Sequence, residues 1–467
     1  MFPSIFNDVF GPIMIGPSSS HTAGPVRIGL MARDILGETP KSAHLIFDPR
    51  GSFAGTYHGQ GSDVGFISGL LGWQPDDERI PVSFKAAADT GLAFDFCLEP
   101  ISESDHPNAV KLLLSSDVNQ VSVVAESVCG GMVRIVRINN DSVNIEGDQE
   151  IEITLRTDTG SLVRTVNPVL PVPTTHLCQP PLFRSLQDMV SLAEQEGLSA
   201  GEMGIRYEMR RSGWTRERVL RQMARVWEVQ RASMERGVRE ELELGSFIRK
   251  PFARTLWQQY QSNQTLLGGP FMLAAIRALA GIEVDDAHGL IVPGPSAGGA
   301  GLAPGVALTV AELLGKGEEA VISGLFAAGA VGAIAYDKTQ PTGEVCGCTG
   351  ESGVGAAMAA AAAIDVAGGT ARQAADAASI ALQNLIGIPC DPVAGCIQVP
   401  CYTRCINAAS TALMGAQLVL SGMDAVIPFD EVLDTMSGIA AMLPVDLKCT
   451  GKGGLAATPT ALKLSAR

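Results

Sequence analysis

The chain has 467 residues, of which 46% are hydrophobic, 18% charged and 5% aromatic. This length allows two or three domains with well-formed cores, and the 52 glycines favour close packing of helices. The formal net charge of -15 argues against a nucleic-acid binder, because such proteins carry a basic surface.

We find neither a signal-peptide pattern nor a membrane span in the sequence. The apolar run of residues 10–16 is short and contains Pro12. The apolar stretch of residues 321–336 is shorter than the roughly 20 residues of a membrane span and is rich in glycine and alanine. We therefore expect a buried helix there, no membrane association and a cytoplasmic location.

The first 166 residues alternate between strand and helix patterns. A helix is predicted from Gly24 to Ala32, and another ends near Leu71. Strands are predicted at residues 44–48, 94–97, 121–127, 132–138 and 151–156. The mixture predicts an α/β or α+β domain.

Hydroxyl groups cluster in the turn that precedes the first helix. Ser18, Ser19 and Ser20 are followed by His21 and Thr22. Hydroxyls and backbone N–H groups at a helix N-terminus can hold an anion such as a carboxylate, but they also serve as ordinary helix caps. The local sequence does not choose between these two interpretations.

Two histidines lie in irregular segments of the same region. His58 belongs to a glycine-rich loop from Pro49 to Asp63, and His106 lies in a turn with Asn108. Each is a candidate for proton transfer, although a lone surface histidine is the commoner explanation for such a residue.

Proline separates this region from a helical one. Residues 167–181 contain five prolines and are predicted to be a linker. From residue 182 to residue 467, apolar residues recur at helical spacing, which predicts a mostly α-helical domain. Its first part, residues 182–241, is predicted to be a solvated helical layer or a subunit contact.

Six of the ten cysteines lie between Gly343 and Cys405. Cys346 and Cys348 lie in one turn and four more in a second turn, and a helical hairpin between the turns would bring them together. Thiolates from separated turns suit an iron-sulfur cluster. Buried core cysteines are the alternative, whereas the spacing disfavours zinc and the cytoplasmic setting disfavours disulfides.

Several strings in this chain resemble those of the iron-sulfur-dependent L-serine dehydratases. In the helical region they are GCTGESG at residues 347–353, CDPVAG at 390–395, VPC at 399–401 and GKGGLAATPT at 451–460. The string GPSSSHTAG at residues 16–24 resembles the β portion of that family. The order implies a single-chain form in which the β portion, residues 1–166, precedes the α portion, residues 182–467.

The resemblance implies a [4Fe-4S] cluster held by Cys348, Cys390 and Cys401, with one iron left open to bind substrate. No pyridoxal phosphate is then needed. Serine would lose water to give aminoacrylate, which hydrolyses to pyruvate and ammonia. Cys346 is either a fourth ligand or a bystander, and the second is favoured because inert buried cysteines are common. Cys396, Cys405 and Cys449 receive no role. A homodimer that acts on a small amino acid or hydroxy acid is expected.

The resemblance also implies the other site residues. The glycine-rich loop of residues 293–301 is similar to a family string, which adds Ser296 to the substrate site, whereas a phosphate cradle is disfavoured because the loop lacks a G-K-[ST] ending. The predicted substrate-binding residues are Ser18, Ser19, Ser20, His21, Thr22, Asn108 and Ser296. The predicted catalytic residues are His58 and His106.

Two departures from the family pattern leave the substrate open. Gln60 stands where family members carry a histidine in a G-H-x-T-D string, and residues 337–343 replace an N-A-S-I-S-G-like segment. Gln60 cannot accept a proton as an imidazole does. Elimination from threonine, cysteine or another β-substituted acid is therefore the alternative, and an iron-sulfur electron carrier or a non-enzymatic helical scaffold is less favoured.

Overall fold

The computed structural model describes residues 2–157, 160–172 and 180–465. Strands concentrate in the first part of the chain and helices in the second, which confirms the predicted division into a sheet-containing and a mostly helical region. The strands are β1 Met14–Ile15, β2 Ser42–Phe47, β3 Ala93–Leu98, β4 Ala109–Ser115, β5 Gln120–Cys129, β6 Met132–Ile138, β7 Asp141–Ile145, β8 Ile151–Thr157, β9 Gly160–Val166 and β10 Leu290–Ile291.

The N-terminal region is built on a six-stranded sheet of order β3-β2-β4-β5-β6-β7. β2 pairs in parallel with β3, and the other neighbouring pairs are antiparallel. Apolar side chains of helices and of one sheet face form a shared core that includes Ile28, Phe66 and Leu112. The helices of this region are α1 Gly24–Leu36, α2 Phe53–Thr56, α3 Ser62–Leu70 and α4 Ser83–Thr90.

The C-terminal region is an assembly of helices around α13. Alanines fill most of α13, and because their side chains are small, α10, α11, α14 and α15 all pack against it. The helices are α5 Leu186–Glu196, α6 Ala200–Ser212, α7 Arg216–Arg239, α8 Ala253–Gln261, α9 Gly269–Asp286, α10 Leu302–Leu313, α11 Glu318–Lys338, α12 Gly343–Cys346, α13 Val354–Ala367, α14 Ala371–Gln383, α15 Cys401–Leu420, α16 Phe429–Met442 and α17 Pro459–Ser465.

The first residues of the chain pack inside the helical region. We call the short helical turn from Ile5 to Val9 the N-terminal plug. Its two end residues lie over Gly329 and Gly332 of α11, where a Cβ at Gly329 would come 2.8 Å from Ile5 Cγ2. The backbone N–H of Ile5 also donates to Glu208 Oε2 at 2.8 Å. The two regions therefore share a core, and β1 pairs antiparallel with β10 beside it.

Some elements differ from the sequence predictions. The patterns do not predict β4, β7 or β9, and β4 lacks a clear alternation because it lies between β2 and β5 with apolar residues on both faces. The loop predicted before α3 contains α2. Part of the predicted linker, residues 173–179, lies outside the described residues.

The second cysteine turn is shorter than predicted. Helix α15 begins at Cys401, six residues before the predicted start at Asn407. Tyr402, Cys405 and Ala409 are buried at helical spacing, so the buried face of the helix begins directly after Pro400. Proline is tolerated at a helix start and does not prevent this. Cys401 and Cys405 therefore lie in a helix and not in a turn.

Within the described part of the chain, one helix is long and apolar enough to cross a membrane. This helix is α11, and 72% of its most apolar window is buried inside the protein. Such burial is typical of a core helix and agrees with the prediction for residues 321–336.

Candidate active site

A cavity lies where the two regions meet. We call residues 18–22 the serine turn. The cavity is lined by the serine turn and Gln60 on one side, and by the glycine-rich loop of residues 293–301 and the cysteine-bearing segments on the other. The polar and sulfur-bearing lining residues are Ser18, Ser19, Ser20, Gln60, Ser296, Glu344, Cys348, Glu351, Ser352, Cys390, Cys401, Cys405 and Cys449. Residues far apart in the sequence thus meet at one site.

The serine turn is both a helix cap and a cavity wall. Ser18 has an extended backbone, and its Oγ accepts a hydrogen bond from the N–H of His21 at 3.1 Å, as an N-cap does. The helical turn that follows runs directly into α1. Thr22 lies behind the wall, where its Oγ1 donates to the carbonyl of Gln60 at 2.8 Å. Ser18, Ser19 and Ser20 face the cavity.

Glu344 connects the serine turn to the cysteine-bearing segment. Ser20 Oγ lies 2.8 Å from Glu344 Oε1 and 2.9 Å from His21 Nδ1, so one hydroxyl bridges the two groups. Asn108 Nδ2 donates to the same carboxylate oxygen at 2.8 Å. Asn108 therefore lies behind Glu344.

The electrostatics of this junction favour an ionised carboxylate. Burial acts to raise the pKa of Glu344, but the adjacent His21 and the hydrogen bonds from Asn108 and Ser20 outweigh it, and the pKa is lowered. Burial lowers the pKa of His21 in spite of the attraction from Glu344. The hydrogen bonds from Asn108 and Ser20 stabilise the carboxylate form of Glu344 even when His21 is neutral.

The two histidines predicted to be catalytic occupy different environments. His58 has a side chain that is 85% exposed, its Nδ1 lies 2.7 Å from Asp63 Oδ2, and it is not among the residues that line the cavity. His106 lies behind Asn108, whose N–H donates to His106 Nδ1 at 3.1 Å. Among the described residues, the buried Nε2 of His106 has no hydrogen-bond partner, and burial lowers the pKa of this histidine.

The three cysteines predicted to be ligands line the same cavity. Cys348 follows Gly347, whose φ of 66° turns the chain sharply after α12. Cys390 is held by its backbone N–H, which donates to the carbonyl of Leu447 at 2.8 Å. Cys401 is the first residue of α15. The three sulfur atoms thus come from three separate segments.

Arg404 stabilises negative charge on the first of these sulfurs. It lies one helical turn after Cys401, and its Nη1 donates to Cys348 Sγ at 3.1 Å while its Nη2 lies 2.9 Å from Asp391 Oδ1. A hydrogen bond from Cys390 and the guanidinium charge lower the pKa of Cys348 to about 7. Hydrogen bonds with Cys348 and Cys449, together with burial, raise the pKa of Cys390 well above its usual value.

Glu351 adds a carboxyl group beside these thiols. One of its oxygens and the sulfurs of Cys348 and Cys390 lie within 4.8 Å of one another, so a single metal centre could contact all three. Burial and the negative charges of Cys348 and Glu344 raise the pKa of Glu351 well above its usual value. A hydrogen bond with the Ser296 side chain acts in the other direction, to lower the pKa of Glu351, but it does not outweigh these causes.

The donor set fits an iron-sulfur cluster. Several buried thiols converge on one cavity, and soft sulfur ligands are what such clusters require. Two further cysteines have other partners outside this cavity. Cys346 Sγ donates to the carbonyl of Gln340 at 3.2 Å, and Cys396 Sγ lies 3.1 Å from Ser246 Oγ.

Sequence reasoning did not assign roles to Glu344, Glu351, Arg404 or Cys449. Arg404 follows Cys401 by three residues, and Glu351 follows Cys348 by three, so helical periodicity is a signal that could have placed both beside the thiols. The contact of Glu344 with Ser20 spans 324 residues. No local pattern reports such a contact.

Comparison with known proteins identifies the family. The sequence model named "Serine dehydratase beta chain" matches residues 4–91, and the one named "Serine dehydratase alpha chain" matches residues 190–456. An L-serine dehydratase of Streptomyces coelicolor is 31% identical over 97% of this chain and 98% of its own length. The L-serine dehydratase TdcG of Escherichia coli is 28% identical over 96% of this chain and 98% of its own length.

A third relative corresponds to the helical region alone. The probable L-serine dehydratase alpha chain of Bacillus subtilis is 37% identical over 61% of this chain and 94% of its own length. The beta-type match precedes the alpha-type match here, as the sequence motifs predicted. The chain therefore belongs to the serine dehydratase family, with the beta-type and alpha-type parts joined in one polypeptide.

Proposed function

We propose that the chain is an iron-sulfur-dependent L-serine dehydratase, a lyase that converts L-serine to pyruvate and ammonia. The observation that carries the proposal is that the serine turn and the three motif cysteines line one cavity. Two relatives that match almost the whole chain are named L-serine dehydratases, which supports L-serine as the substrate. The alternative substrates are threonine, cysteine and related acids, because Gln60 also lines the cavity.

The serine turn would bind the carboxylate of the substrate. The first N–H groups of a helix have no partner within the helix, and the positive end of the helix dipole attracts an anion. The hydroxyl groups of Ser19 and Ser296 also line the cavity and add donors. These contacts would orient the serine with its α-carbon towards Glu344.

Glu344 is the residue that we assign as the base. Its carboxylate lines the cavity and is held ionised, so it can accept the α-proton of serine. Ser20 and Asn108 fix its position, and His21 supports it through Ser20. His106, behind Asn108, remains a candidate for relaying a proton, whereas the exposed position of His58 favours a role outside the chemistry.

Cys348, Cys390 and Cys401 would hold a [4Fe-4S] cluster. When bound, the cluster supplies a Lewis-acidic iron that makes the hydroxyl of the substrate a better leaving group. Arg404 keeps the Cys348 sulfur anionic, and the buried positions of Cys348 and Cys390 limit the access of water to the elimination step. Loss of water then leaves aminoacrylate, whose hydrolysis gives pyruvate and ammonia.

The test is anaerobic purification followed by iron and sulfide analysis. We expect about four irons and about four sulfides per chain, and pyruvate formation from L-serine. Single replacements Cys348→Ser, Cys390→Ser and Cys401→Ser should each remove iron and activity, whereas the control Cys396→Ser should keep both. Full iron content in all three variants would contradict the ligand assignment. Keto-acid formation from threonine but not from serine would mean that threonine is the substrate, and it would leave the proposed elimination chemistry unchanged.

The proposed domain limits are residues 1–166 and 182–467, joined by residues 167–181. A cytoplasmic location and a homodimer stay predictions. Sedimentation of the purified protein tests the homodimer directly.

A further inference from the structure

Cys449 is a fourth thiol at the candidate cluster site, and neither the motifs nor the proposed function assigns it a role. It is 6% exposed and packs against Cys348 and Cys390 in one buried group. It also lines the same cavity as the three predicted ligands. Its sulfur is therefore placed where a cluster held by those ligands would lie.

The backbone holds Cys449 in this position. Its N–H donates to the carbonyl of Cys390 at 2.8 Å, and the hydroxyl of Ser52 donates to its own carbonyl at 2.6 Å. Its φ is 58°, in the left-handed region that non-glycine residues rarely occupy. Such conformations concentrate at functional sites, where the surrounding structure maintains them. The strained backbone points the thiol at Cys390.

Gln60 provides the second, independent observation. Its side chain is 5% exposed, and its Nε2 donates to Cys449 Sγ at 3.5 Å. Hydrogen bonds to the ligating sulfurs are among the means by which proteins tune iron-sulfur clusters. An amide that donates to a buried sulfur suits a thiolate, and Gln60 has no proton of its own to exchange at neutral pH.

The other unassigned thiols have different partners. Cys405 Sγ lies 3.7 Å from the carbonyl of Ala278, although this residue also lines the cavity. Cys346 and Cys396 bond to groups outside the cavity, as described above. Of the unassigned cysteines whose side chains the structure describes, Cys449 is the one that packs against two predicted ligands.

We propose that Cys449 is a fourth cysteine ligand of the cluster, and that Gln60 donates a hydrogen bond to its sulfur. The inference rests on the proposed iron-sulfur function. The thiol of Cys449 loses its proton to solvent when it binds iron, and the resting cluster is then held by four thiolates. Substrate and Cys449 must compete for the same iron, because the proposed elimination requires that iron to contact the substrate hydroxyl.

The test follows the loss of one iron after mild oxidation. Ferricyanide takes one electron from a [4Fe-4S]²⁺ cluster, and a cluster with one unprotected iron then releases Fe²⁺ and leaves an EPR-active [3Fe-4S]⁺ cluster. We expect the wild-type protein to resist this conversion. In Cys449→Ala the conversion should be faster by on the order of tenfold or more, the scale on which metal sites respond to lost support. Gln60→Leu should give a smaller acceleration.

Control variants separate the possible results. Cys396→Ala should behave as the wild type, and Cys405→Ala tests the rival ligand. Cys449→Gly, which also accepts the left-handed backbone, replaces Cys449→Ala if that variant does not fold. Equal rates in the wild type and in the Cys449 variants, or acceleration by Cys405→Ala alone, would overturn the inference while leaving the proposed function standing. A wild-type protein that binds no iron after reconstitution would overturn both.

Discussion

The cavity has two walls of different chemistry. The hydroxyl wall consists of Ser18, Ser19 and Ser20, and most of its described hydrogen bonds are made to neighbours in its own turn or to Glu344. The thiol wall consists of Cys348, Cys390, Cys401 and Cys449, and its sulfurs interact mainly with one another, with Arg404 and with Gln60.

The difference between the walls indicates different modes of assembly. A turn in which the hydroxyl groups of Ser18 and Ser20 already have hydrogen-bond partners can form without a ligand. Buried thiols that interact with other thiols gain little from burial beyond packing and suit a metal that replaces their protons. We therefore expect substitutions in the hydroxyl wall to change catalysis and substitutions in the thiol wall to change cofactor content.

Glu344→Gln gives the largest expected effect on the hydroxyl side. Loss of the proposed base should lower turnover by about 100-fold or more. Because Glu344 is not assigned as a ligand, iron content should equal that of the wild type. Steady-state pyruvate formation and iron analysis measure the two quantities on one preparation. A loss of iron would mean that Glu344 helps to hold the cluster, as the thiol wall does.

Ser19→Ala should raise the KM for serine by about tenfold, which corresponds to the loss of one hydrogen bond to a charged group. The matched control is Ser262→Ala, directly after the last residue of α8, because that hydroxyl donates to carbonyl groups of α8. An unchanged KM in Ser19→Ala would mean that the hydroxyl wall acts as a helix cap and does not bind the substrate.

The pH dependence of the free energy of unfolding should report the lowered pKa of His21. Burial lowers the folded-state pKa of His21, so the unfolded chain binds more protons as the pH falls below about 6.5, the ordinary value for histidine. This contribution to stability is present above that pH and is lost as the pH falls through the folded-state pKa. Urea unfolding from about pH 5 to 7 should show a smaller pH slope in His21→Gln than in the wild type. Identical slopes would contradict a lowered pKa.

His58→Gln should have the smallest effect, a change in turnover of less than about twofold. Its side chain is 85% exposed and lies outside the cavity lining, so its replacement removes no group that reaches the substrate. A collapse of turnover on both serine and threonine would instead assign the proton transfer to this loop, as the sequence suggested.

The two walls also differ in how well the sequence predicts them. Most of the thiol wall is contained in short strings, so the resemblance of these strings to the family predicts Cys348, Cys390 and Cys401 as ligands. The serine turn can be predicted as a helix start, but its partner Glu344 cannot, because that contact depends on how the two regions pack. Cys449 follows a loop whose strained backbone has no signature in the residue type itself.

The N-terminal plug connects the two regions non-covalently, in addition to the covalent connection between them. Ile5 and Val9 are fully buried against α11, and Glu208 secures the same turn by a hydrogen bond. The inserted turn and the β1–β10 pair therefore add to the contacts that Ser20 makes with Glu344 and Ser52 with Cys449, whereas the connecting segment contributes effective concentration. The single polypeptide thereby guarantees equal stoichiometry of the two parts and speeds their association.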